Sequence, residues 1–131
     1  MDDRFVERIV ALQQFLLAAA RDYPHVIDPT LATAATLDYA LTLAREAASG
    51  ADEGTTRGAI DEALAPACDD ALRFLRALDS RDRRRAKAFC REYGPDGDMV
   101  VTLRSLASRP GVRDPERSFA LITLADDFAA T

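Results

Sequence analysis

Phe5, Ile9, Leu12, Leu16 and Ala19 follow one another at steps of four and three residues, which on a helix of about 3.6 residues per turn stacks them on one face. The same rhythm recurs in every later segment. No segment alternates polar and apolar residues with a period of two for long enough to make a strand. A chain patterned this way buries its apolar residues by packing helix on helix. The expected fold is therefore all-α, a compact bundle of five to seven helices in one domain over residues 1–131. Val6, Val10 and Leu17 widen the first apolar face, so the helix over 3–22 is expected near the centre.

Proline, glycine and short polar residues set the expected boundaries. Tyr23-Pro24 ends the first helix, because a residue before proline is pushed out of the α region. Asp28-Pro29 reads as a cap followed by proline in the first turn, opening a helix that runs to Ser49 and stops at Gly50. Its expected buried face is small: Ala34, Leu37, Leu41, Ala44 and Ala48. After the loop at 50–54, Thr55 or Thr56 caps a series through Ile60, Leu64, Ala67, Ala71, Phe74, Leu75 and Leu78. The series passes Pro66 in phase, so that helix is either continuous there or divided into two. Ser80 caps a basic helix ending at Tyr93, before Gly94 and Pro95. Asp98 and Asp114-Pro115 open the last two helices. The first turns Met99, Val100, Leu103, Leu106 and Ala107 inward; the second carries Phe119, Leu121, Ile122, Leu124, Ala125 and Phe128. The expected core joins Phe5, Ile9, Leu12, Leu16, Leu37, Leu41, Ile60, Leu64, Phe74, Leu75, Phe89, Leu103, Phe119, Ile122 and Phe128.

Charge is segregated. The chain carries −5, yet residues 80–94 hold six cations against Asp82 and Glu92, a local +4 that leaves −9 for the remainder. On a helical wheel Arg81, Arg84, Lys87 and Arg91 share an arc of about 120°, opposite Ala86, Phe89, Cys90 and Tyr93. These four are the candidate partner-binding residues. Aligned guanidinium groups suit carboxylates or phosphates, to which each offers a planar fork of donors. Arg83 and Arg85 are expected to flank the stripe and reach acids elsewhere on the chain, with Asp69, Asp70 and Asp79 at hand for the run as a whole. The overall pI near 4.8 disfavours general nucleic-acid binding and an anionic membrane surface.

Other chemistry finds little footing. Phe89, Tyr93, Gly94, Val100 and Leu103 are spaced as in a helix-turn-helix, but the leading positions of its second helix are Asp96, Gly97, Asp98, Val101 and Thr102. Two carboxylates facing a phosphate-lined groove repel it, and no Arg, Asn or Gln is there to read bases. His25 stands alone, and Cys68 and Cys90, both on apolar faces, have no CxxC spacing. PDGD at 95–98 lacks the further acidic ligands of a calcium loop. The adjacent acids Asp52/Glu53, Asp61/Glu62, Asp69/Asp70 and Asp126/Asp127 diverge on a helix and read as solvated surface. No glycine-rich phosphate loop and no Cys-His pairing is apparent. No cofactor or metal is expected.

The functional expectation is a non-enzymatic protein-interaction module in a reducing cytoplasm: a regulator, an inhibitor or immunity-type protein, or an assembly subunit, with a protein partner and with self-association open. No membrane association is expected, since neither a signal nor an 18-residue apolar run is present. The alternatives are a nucleic-acid-associated subunit using the arginine-rich helix 81–93 and a small-molecule binder, which requires an apolar pocket of roughly 300 Å³ or more.

Overall fold

The computed structural model describes residues 3–26, 31–48 and 53–130. Six helices occupy them: α1 (Asp3–Asp22), α2 (Leu31–Ala48), α3 (Glu53–Arg81), α4 (Arg83–Tyr93), α5 (Met99–Ala107) and α6 (Pro115–Ala129). The described residues contain no strand, and the helices pack as one bundle. The Asp28-Pro29 cap and the Gly50 stop lie outside the described residues.

α1 packs against α2, α3, α4 and α5, so its two-sided apolar pattern is used as expected. Ile9, Leu12, Phe15 and Ala19 are wholly buried. Phe15 lies outside the expected core yet is wholly buried within its aromatic cluster, edge-on to Phe74 at 5.6 Å and to Phe89 at 5.1 Å between centroids. Tyr23 and Tyr93 close the cluster against Phe89. Such offset and edge-to-face pairs add to plain area burial. Leu17 corrects the wide-face reading: it is half exposed, because α1 is covered on several sides but not all round.

α2 buries Leu37, Ala40, Leu41, Ala44 and Ala47, a mostly small face that lets it lie close to α1 and α3. α3 is one continuous helix through Pro66. Proline there removes a donor and leaves the Glu62 carbonyl without its helical partner; both residues are exposed, so water can take that bond. α3 begins at Glu53, which puts Thr55 and Thr56 inside the first turn rather than at the cap.

The basic segment is divided. Asp82, not Ser80, caps α4: its backbone is extended and Oδ1 accepts the Arg85 N–H at 3.2 Å. The Ser80 hydroxyl turns back to donate to the Ala77 carbonyl, so Arg81 ends α3 while the other basic residues belong to α4. Asp98 and Asp114 cap α5 and α6 as expected, accepting the N–H of Val101 and of Arg117.

α6 is the outermost element, packing on α5 and α3 through Leu121 and Leu124. Here the expected core is corrected: Phe119 is 73% and Ile122 47% exposed, and Phe128 is only partly buried. A helix at the edge of a bundle has neighbours on one side, and its apolar residues here span more than that side.

Carboxylates of α3 hold the turn between α5 and α6. Asp61 is buried and accepts from Arg109 Nε and, at 3.1 Å, from the Gly111 N–H, while Arg109 lies over the Phe5 ring at 4.3 Å. Asp69 accepts two bonds from Arg117, which also donates to the Val112 carbonyl. The solvated-surface reading therefore fails for Asp61. Among the described residues, no helix is long and apolar enough to cross a membrane.

Candidate protein-interaction surface

α4 presents the two faces its sequence implies. Ala86, Phe89 and Cys90 are buried, while Arg84 and Arg91 are exposed and Lys87 is half-buried. With Arg83 they line an open trough of about 300 Å³. Arg81 is exposed too, but it sits at the end of α3, across the Asp82 cap.

The flanking residues only partly follow expectation. Arg83 pairs with Asp79 one turn back, Nε to Oδ1 at 2.9 Å, and its Nη1 reaches the Asp127 carbonyl on α6. Arg85 finds a phenol rather than an acid, donating to Tyr23 Oη at 3.3 Å. Asp69 pairs with Arg117 and Asp70 with Arg73. Arg81 and Arg84 make no ion pair among the described residues, and Arg91 donates to the Lys87 carbonyl at 3.4 Å.

Beside the trough, and sharing Lys87 and Arg91 with it, runs a groove of about 240 Å³ between α4, α5 and the end of α6. Its floor is apolar, with Cys90, Val100, Val101, Ala125 and Phe128. Its rim is cationic, with Lys87, Arg91 and Arg104; the one acid, Asp98, is engaged as the α5 cap. Val101 on this floor is 44% exposed. Arg104 was no candidate on sequence grounds, because it lies on a different helix from the basic run.

The remaining sequence candidates resolve into structural roles. Asp96 lies between two guanidinium groups of α1, with Arg8 Nε at 2.8 Å and Arg4 Nη2 at 2.9 Å. Thr102 is buried and donates to the Asp98 carbonyl. None of Asp96, Asp98 and Thr102 is a free leading residue of a reading helix. α4 and α5 pack together across a tight turn, as the helix-turn-helix spacing of Phe89, Tyr93, Gly94, Val100 and Leu103 implies. Cys68 and Cys90 are free and buried, and burial pushes both thiols up to about 12. Among the described residues, no three of His, Cys, Asp and Glu gather where a metal ion would sit. A wider depression, about 570 Å³ between α1, α3 and α5, is lined by Arg8, Arg57, Asp61 and Arg109 together with Phe5 and Leu106.

Comparison with family models, with curated protein sequences and with solved structures finds no match to this chain.

Proposed function

We propose that this chain is a non-enzymatic protein-interaction module, of regulator, inhibitor or assembly-subunit type, which binds an acidic partner through α4 and the groove beside it. The observation that carries the reading is the pairing of an apolar floor with a cationic rim: Val101 and Phe128 beneath Lys87, Arg91 and Arg104. Arg104, like Arg84, has no carboxylate partner among the described residues. Exposed guanidinium groups steer an acidic partner into place, and the floor supplies the contact that releases water. Two free, buried thiols support a reducing compartment such as the cytoplasm.

A photo-cross-linking residue placed at Ala88, on the exposed side of α4, tests the reading in the native cells. The expected result is an adduct with another polypeptide that disappears when Arg84 and Arg91 are changed to Glu. Adducts with nucleic acid alone, or none, overturn it.

A further inference from the structure

α6 leaves a seam uncovered. Pro115, Phe119, Ile122, Asp126 and Ala129 recur at steps of four and three residues, and all five are exposed. That is the spacing at which two helices meet side by side. The side chain with most to gain from cover, Phe119, is also the most exposed large apolar residue among those described, at 73%.

The two sides of the seam carry opposite charge. Towards α5, Ile122 shares a depression with Arg104 and Arg113. Towards α3, Phe119 shares a groove with Glu116, Asp127 and Asp79, the last paired with Arg83, and with Arg76, so three acids outnumber two bases there. This polarity selects both an occupant and an orientation. A two-fold axis crossing α6 at right angles runs two copies of the helix antiparallel, lays base on base, and brings Glu116 towards Asp126 of the second copy. A two-fold axis along α6 runs the helices parallel and lays each acidic flank on the other copy's basic flank. Like charges facing each other select against the first arrangement.

We propose that a second copy of this chain covers the seam, forming a parallel two-fold dimer in which Phe119 and Ile122 of each copy pack against those of the other. The dimer stands on α6 and shares with the α4 groove only Arg104 and Ala129. Asp126, one turn beyond Ile122, meets its own counterpart in this arrangement, so the helices are closest at the Pro115 end. The seam spans five positions of one helix, so the association is expected to be weak and reversible.

Sedimentation equilibrium of the pure protein, with cross-linking, tests this. Wild type is expected to dimerise reversibly. Ile122→Glu lowers the association constant about tenfold or more, and Asp126→Asn raises it by about two- to fivefold. Both positions are exposed, so the melting curves of dilute samples confirm folding. Pro115→Cys is expected to join two copies through a short bismaleimide, whereas the antiparallel arrangement holds those positions roughly 16 Å apart along the axis. The buried Cys68 and Cys90 do not compete for the reagent. A wild-type protein that sediments as a monomer throughout, or a dimer indifferent to Ile122→Glu, overturns the proposal. A dimer without the Pro115→Cys link overturns its parallel form. A monomer that still gives the α4 adducts in cells removes the dimer and leaves the interaction module standing.

Discussion

Arg8 and Asp96 stand 88 positions apart in the chain and 2.8 Å apart in the fold, Nε donating to Oδ2. Arg4 donates to the other carboxylate oxygen from one turn earlier on α1. The pair ties the turn between α4 and α5 to the central helix. An acid that would repel a phosphate backbone is thereby spent on holding the cationic helix in place.

Asp96 therefore makes stability depend on acid. Hydrogen bonding to Arg8, with Arg4 beside it, pulls its carboxyl from an ordinary 3.8 down to about 2. The folded value lies below the unfolded one, so this contribution is complete above 3.8 and is lost as pH falls through about 2. Asp96→Asn is expected to lower the urea midpoint at neutral pH and to flatten its fall across that window. Parallel falls in mutant and wild type would assign the acid sensitivity to other groups.

Gly94 is required by closeness. A Cβ placed there would sit 2.0 Å from the Asp98 carbonyl carbon, so any side chain forces the α4–α5 turn open. Gly94→Ala is expected to cost at least about 2 kcal/mol, towards the upper part of the usual range for single substitutions. Gly58, with nothing within 4 Å of such a carbon, is the control and should tolerate Ala. Equal denaturation midpoints for the two variants would contradict the crowding.

The contrast between these features marks what the sequence could reveal. Helices α1, α3 and α5 were legible because each has neighbours along most of its apolar face, so spacing alone names Ile9, Leu64 and Leu103 as core. α6 was not: seven apolar residues from 119 to 128 wrap too much of the helix for one covered side, and the positions of α3 and α5 decide which are left out. The α4 cap was ambiguous because Ser80 and Asp82 are both capping residues, and only the reach of a carboxylate to the Arg85 N–H separates them. The basic rim was half legible. Arg84, Lys87 and Arg91 share one helix, whereas Arg104 joins them only through the packing of α4 on α5. Ion pairs such as Asp61 with Arg109, 48 positions apart, leave no local trace in the sequence.

Core and edge should respond differently to truncation. Leu16 is 2% exposed within α1, and Leu16→Ala is expected to destabilise by about 2–5 kcal/mol through lost burial and a residual cavity. Phe119→Ala removes a larger side chain from a surface position and should stay within about 0.5 kcal/mol in dilute solution. Chemical denaturation of both variants decides the point, and a large loss for Phe119→Ala would place that ring in the fold after all.

Thiol chemistry offers an independent reading of burial. With both cysteines pushed up to about 12 by desolvation, little thiolate exists at neutral pH. Native protein is expected to react with a disulfide reagent far more slowly than unfolded protein, with Cys68 and Cys90 both released on denaturation. Fast reaction of one thiol in the native state would expose a local opening, with Cys90 the first suspect because it also floors the α4–α5–α6 groove.

Arg84 and Arg91 carry the last test. Both are exposed, Arg84 makes no ion pair among the described residues, and the bond Arg91 makes to the Lys87 carbonyl lies within its own helix. Exposed charges of this kind contribute about 0–1 kcal/mol. Replacing both with Glu is therefore expected to leave the melting temperature of dilute protein nearly unchanged while cancelling the positive charge of the trough they line. Binding of an acidic partner should then weaken, mainly through slower association, and its salt dependence should shrink, because steering acts on the encounter. A double variant that melts markedly earlier would instead make the arginine run part of the scaffold, and the α4 surface would lose its claim to recognition.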